Sequence, residues 1–113
     1  MNIDEIREYC LSKPDVEECF PFDEETLVFK VKGKMFLLTG LNESPVHINV
    51  KCDPDRAIEL RDEHAQVLPG YHMNKKHWNT IEIDGLLGAR FVKQQIDNSY
   101  DLVRASLPKK YRY

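Results

Sequence analysis

Two alternating runs joined by one glycine constrain the fold of this chain more than any other feature. Leu27, Phe29 and Val31 alternate with Val28, Lys30 and Lys32, and after Gly33 the run Met35-Phe36-Leu37-Leu38-Thr39 turns back. A period of two puts successive side chains on opposite faces of a strand, and a glycine at the reversal supplies the positive φ of a tight turn. The segment therefore reads as a β-hairpin with Lys30, Lys32 and Lys34 gathered near its tip. Val46, Ile48 and Val50 alternate with His47, Asn49 and Lys51 in a further strand, after the polar loop from Gly40 to Pro45.

The flanking segments carry helix signals. Residues 2–12 open with Asn2 as N-cap and Glu5 in the capping-box position, with Ile3, Ile6 and Cys10 on one face and Pro14 beyond the end. Asp53-Pro54 is a side-chain cap followed by a first-turn proline, starting a helix to about Glu63 whose core side is read as Ala57, Ile58 and the Arg61 stem. Val92, Ile96, Tyr100, Val103 and Leu107 form a one-face helical stripe that Pro108 ends. Val16 to Phe20 reads as an edge strand, interrupted by Pro21. Trp78 to Ile83 reads as another strand, closed by the Asp84-Gly85 turn, with Trp78 in the core rather than on the surface.

This order, α-β(3–4)-α-β(1–2)-α, predicts an α+β fold: a two-layer structure with a mainly antiparallel sheet and helices on one face. The other sheet face is left open to solvent or a partner. The 113 residues suit one domain, 1–113. No apolar run is long enough to span a bilayer, and the acidic N-terminus lacks the pattern of a secretory signal. Cys10, Cys19 and Cys52 form an odd set without a Cys-x-x-Cys pair, which points to reduced thiols and a cytoplasmic location.

Net charge is −3, so cations must be segregated if the chain is to meet nucleic acid. Acids crowd residues 4 to 25, whereas basic side chains gather at 30 to 34, 72 to 77 and 104 to 112, the last including Arg104 and Lys109-Lys110-Tyr111-Arg112. The densest segment is Pro69-Gly70-Tyr71-His72-Met73-Asn74-Lys75-Lys76-His77-Trp78-Asn79. Its lysines suit phosphates, its amides and histidines suit sugar or base edges, and its aromatics suit flat rings. His72 and His77 are five apart, which is not a metal-ligand spacing. Cys52 stands at a helix entry, where a thiolate can be stabilised, but no oriented base is evident and no nucleophile elbow exists. The sequence thus predicts no enzyme, no catalytic residue, no metal site and no cofactor.

Lys34-Met35-Phe36, Lys51-Cys52-Asp53-Pro54, Pro69-Gly70-Tyr71-His72, Asn74-Lys75 with His77-Trp78, and Ser99-Tyr100 together resemble the MmcQ/YjbR family, in its order and spacing over essentially the whole chain. The resemblance implies a compact α+β fold similar to type III secretion chaperones, often described as CyaY-like. It also implies DNA binding through two wing-like hairpins, here Lys32-Gly33-Lys34 and the loop from His72 to His77.

The expected function is accordingly binding of double-stranded DNA with little sequence selectivity. Lys32, Lys34, Lys75 and Lys76 would contact phosphates, while His72, Asn74 and His77 would reach sugars or bases. The alternative is a protein-binding adaptor or chaperone-like module using the open sheet face. A third expectation is a small-ligand pocket lined by Tyr71, His72 and Trp78. No membrane partner is expected.

Overall fold

Three helices lie on one face of a six-stranded antiparallel sheet in the computed structural model, which describes residues 1–71 and 73–111, the last without its side chain. The elements are α1 (Ile3–Leu11), β1 (Val16–Cys19), β2 (Thr26–Val31), β3 (Lys34–Gly40), β4 (Val46–Lys51), α2 (Pro54–Glu63), β5 (Val67–Pro69), β6 (Trp78–Ile83) and α3 (Ala89–Ala105). A short 3-10 turn follows at Lys109–Tyr111. Strand order is β1-β2-β3-β4-β6-β5. The chain therefore adopts the α+β architecture and element order expected from its patterning.

Local chemistry accounts for each boundary. Asn2 Oδ1 accepts from the Glu5 backbone N–H at 2.9 Å and Glu5 Oε1 accepts from the Asn2 N–H at 3.0 Å, closing the capping box of α1. Asp53 caps α2 by accepting from the Arg56 N–H, with Pro54 at its first position. Lys32 and Gly33 turn the β2–β3 hairpin with φ of 49° and 84°, and positive φ at both central residues matches the twist of the flanking strands. One expectation fails on α2: Ile58 is 56% exposed, and the helix buries Ala57 and Leu60 instead. Those two residues are three apart and share a face, whereas Ile58 lies about 100° around the helix from Ala57.

The core lies between helices and sheet, built from Ile6, Phe29, Val31, Leu37, Ile48, Val50, Ile81, Val92, Ile96 and their neighbours. β3 departs from strict alternation. Phe29 pairs with Leu37 and Lys30 with Met35, so Phe36 is an extra residue, a bulge opposite β2. The bulge lets consecutive residues Phe36 and Leu37 both enter the core, each fully buried. It also ends the β3–β4 ladder at Leu37–Val50, leaving the Phe36 carbonyl and the Lys51 N–H without strand partners. Ser99, buried on α3, supplies both. Its Oγ accepts from the Lys51 N–H at 2.8 Å and donates to the Phe36 carbonyl in a short bond. Next to it, Tyr100 packs edge-on against Phe36 at 5.4 Å and donates to the Pro14 carbonyl at 2.7 Å. The pair Ser99-Tyr100 thus docks the last helix onto the sheet.

Replacing Ser99 by Ala leaves a buried carbonyl and a buried N–H unsatisfied, at a cost of about 2–4 kcal/mol. Urea denaturation of S99A should show this drop with an unchanged slope; a loss below about 0.5 kcal/mol would refute the bridging role.

Candidate nucleic-acid interface

The antiparallel register decides which side chains share an end of the sheet. Val31 pairs with Lys34 at the β2–β3 turn, Leu37 with Val50, and Lys51 with Trp78. The 32–33 turn, the end of β4 and the β5–β6 loop therefore lie at one end. The midpoints of the β2–β3 and β5–β6 pairs are three strand positions apart, about 14 Å at ~4.8 Å per strand. Lys30, Lys32, Lys34, Lys51, Lys75 and Lys76 all come from this end. The C-terminal end of α3 points the same way, since Ser99 and Tyr100 reach Lys51 and Pro14, and so brings Arg104 with it. The acidic loops 20–25 and 41–45 lie at the opposite end.

The candidate residues are not equivalent. Lys34 and Lys76 are exposed, and neither side chain has a hydrogen-bond or ion-pair partner among the described residues. Lys32 is 3.4 Å from Asp15 Oδ1. Lys75 donates to the Gly70 carbonyl at 3.1 Å, tying its ammonium to the start of its own loop. Asn74 is built into the loop: its Oδ1 accepts from the Lys76 N–H at 2.9 Å, and its carbonyl accepts from the His77 and Trp78 N–H groups. His77 is half-buried, and its carbonyl accepts from the Cys52 N–H at 2.8 Å, extending the β4–β6 ladder. His72 lies outside the described residues, as does Arg112.

Two residues hold this loop in place. Gly70 is buried against Trp78, and a Cβ there would stand 2.9 Å from both the Cβ and the carbonyl of Trp78. Arg61 was read only as a packing stem, but its guanidinium is a staple. Nε donates to Asn79 Oδ1 at 2.7 Å, and an Nη group donates to the Lys75 and Trp78 carbonyls. Spacing on α2 places Arg61 four residues after Ala57, which is a legible signal for a residue facing the sheet; its partners across the loop are not legible. Trp78 is 9% exposed, as expected of a core residue, and packs with Val28 and Leu38 on the sheet face opposite the helices, with Met35 and Met73 against them.

A cleft of about 320 Å³ opens beside Tyr71, and its other walls are Glu43, His47, Asn49, Leu68, Pro69 and Thr80 rather than Trp78. Sequence reading missed His47, Asn49 and Thr80 because they meet only through the β4–β6 pairing.

Cys52 is nearly buried, and burial pushes its thiol up from the ordinary thiol range, with Asp53 adding to the rise. Arg56 and Arg61 pull weakly the other way. Cys10 is pushed up to about 12 by burial. Among the described residues no group of three or more His, Cys, Asp or Glu side chains is placed to hold a metal ion. No described helix is long and apolar enough to cross a membrane.

Taken together, the fold and the polarised sheet define a small α+β module with a basic end and an open face. The chain belongs to the YjbR family, whose model matches residues 11–102. It is 32% identical over 112 residues to the uncharacterised protein YjbR of Escherichia coli K12, covering 99% of this chain and 95% of that one. It is 36% identical over 100 residues to the uncharacterised protein YbdF of Escherichia coli O157:H7, covering 88% and 82% respectively. Among solved structures, protein DR2400 of Deinococcus radiodurans superposes with a TM-score of 0.92 at 41% identity, over 97% of this chain and 84% of that one. A Pseudomonas syringae protein superposes at 0.78 with 28% identity, over 91% and 99%.

Two outcomes follow from this geometry. Arg61→Ala should cost about 2–3 kcal/mol, because a charged donor leaves several acceptors, and should speed hydrogen exchange at the Lys76 to Trp78 amides. Unchanged exchange there would remove Arg61 as the staple. At pH 7.5 Cys52 should react with an alkylating reagent more slowly than half-buried Cys19, with its rate rising only above the ordinary thiol range; equal rates would contradict the buried-thiol assignment.

Proposed function

We propose that this protein binds double-stranded DNA without catalysis, using the Lys32-Gly33-Lys34 turn and the Lys75-Lys76 loop as two wings. The observation that supports the reading is the sorting of charge. A chain of net charge −3 presents its hairpin and loop lysines together at one end, with the acidic loops at the other. The wing separation of about 14 Å is close to the ~12 Å width of a B-DNA major groove, so the two lysine clusters can meet the phosphates bordering it. Such contacts position without reading sequence, and they fit a protein of low selectivity. Lys34 and Lys76 carry the largest share because their ammonium groups are uncommitted to the fold; Asn74 and His77 shape the loop and approach the groove edge. Three unpaired cysteines are consistent with a cytoplasmic location.

A second reading, a protein-binding adaptor, is favoured by a different observation. Phe20, Phe22 and Leu41 are 48%, 63% and 44% exposed in two loops joined by the Leu41 N–H to Glu25 carbonyl bond. That surface sits at the acidic end, away from the wings. It predicts association that survives high salt.

Fluorescence anisotropy with a labelled random duplex should show binding whose log affinity falls against log salt with a slope of roughly −3, for three or four neutralised phosphates. The double change Lys34→Glu and Lys76→Glu should weaken binding at least about tenfold and flatten the slope by about two, without altering thermal stability. Duplex affinity unchanged by these substitutions would reject the wing assignment. Salt-insensitive self-association or partner capture lost in Phe22→Ser would favour the adaptor instead.

A further inference from the structure

The cleft on the open sheet face has a chemistry that the duplex reading does not use. Its floor is a directed hydrogen-bond chain. The Tyr71 N–H donates to Thr80 Oγ1 at 2.9 Å, so the Thr80 hydroxyl directs its proton to Asn49 Oδ1 at 2.6 Å. The chain fixes the orientation of the Asn49 amide: its carbonyl is occupied, and its NH2 group remains as a donor within the cleft. One end of the cleft is acidic. Glu43 lies over Gly40, where any Cβ would collide with its carboxylate, and its Oε2 is 2.6 Å from His47 Nδ1. That nitrogen is buried and makes no aligned hydrogen bond. Glu82 flanks the other ring nitrogen at 3.6 Å.

The other end is flat and apolar, with a cation at its rim. Tyr71 is 69% exposed and Leu68 39% exposed, and both line the cleft with Pro69. The Lys75 ammonium rests on Gly70, between the lining residues Pro69 and Tyr71.

We propose that this cleft binds a single nucleobase carrying an exocyclic amine, adenine or cytosine, as a nucleotide or as an unpaired base in a strand. The amine donates to the Glu43 carboxylate, and the adjacent ring nitrogen accepts from Asn49 Nδ2. The ring lies against Tyr71 and Leu68, as bases stack on aromatic side chains elsewhere. The attached phosphate falls at the Lys75 rim, away from the carboxylates that would repel it. Uracil and thymine reverse both edge groups, presenting a carbonyl to Glu43 and an N–H to the Asn49 amide, and are excluded. This site differs from the wings in contacting a base, and its lining residues lie on the sheet face; only Lys75, at its rim, is shared with the second wing.

The test is calorimetric titration of the full chain with adenosine 5′-monophosphate and, separately, thymidine 5′-monophosphate, with amide chemical shifts followed at Asn49 and Thr80. The adenine nucleotide should bind and shift those amides; the thymine nucleotide should bind at least about tenfold more weakly. Tyr71→Ala, a change at an exposed side chain, should weaken adenine binding at least about fivefold. Asn49→Asp, which replaces the donor by an acceptor, should abolish it, and Thr80→Val should weaken it by releasing the amide. The Lys34→Glu, Lys76→Glu double variant should leave it unchanged, so failure of the wings and failure of the cleft are read separately. A short oligo-dA binding more tightly per site than the mononucleotide identifies an unpaired base in a strand; equal affinity identifies a free nucleotide. No binding of the adenine nucleotide, equal binding of both nucleotides, or full binding by the Tyr71 and Asn49 variants would overturn the proposal.

Discussion

The hydroxyl of Ser99 holds the position on which the rest of the molecule depends. An extra residue in β3 carries Phe36 and Leu37 into the core together, and strands built that way cannot complete their ladder to the next strand. Two buried backbone groups are left, and leaving them unpaired would cost more than most single contacts return. Ser99 pairs both and so fixes α3 in rotation and in height against the sheet. Tyr100 then ties the same helix to the turn before β1. With α3 anchored, the basic end of the sheet and the C-terminal end of the helix face the same way.

That common direction explains how an acidic protein presents a basic surface. Net charge says little about a partner; the field a partner meets depends on where the charges stand. Here antiparallel connectivity does the sorting. Each hairpin returns the chain to the end it left, so the β2–β3 turn and the β5–β6 loop emerge together, while the acidic β1–β2 and β3–β4 loops emerge at the other end. Between the ends, the open face grades from Glu43 and Glu82 to Tyr71 and Lys75. The same sorting therefore underlies both the wings and the cleft.

Much of the fold is legible in the sequence. The capping box at Asn2 and Glu5, the Asp53-Pro54 helix start, the hairpin about Gly33 and the stripe from Val92 to Val103 all appear as read, because each depends on neighbours in sequence; Leu107 is buried beyond the helix, which ends at Ala105. Of the candidate site, the lysines were legible as a cluster, and Trp78 as core. Their inequality was not: Lys75 is tied to Gly70 and Asn74 is folded into its own turn, whereas Lys34 and Lys76 are left outward. Arg61 appeared as a stem and proved to be a staple, since its acceptors on Lys75, Trp78 and Asn79 lie 14 to 18 residues away.

Local hydrogen bonding and side-chain periodicity are properties of a short stretch of chain, and the sequence by itself determined them: the helices, the hairpin, the turn residues and the class of fold. Strand order, the bulge partner and the meeting of His47, Asn49, Tyr71 and Thr80 are properties of register between distant segments. Only the tertiary structure decided those, because a register is selected by the burial of a whole face at once and by which buried groups find partners.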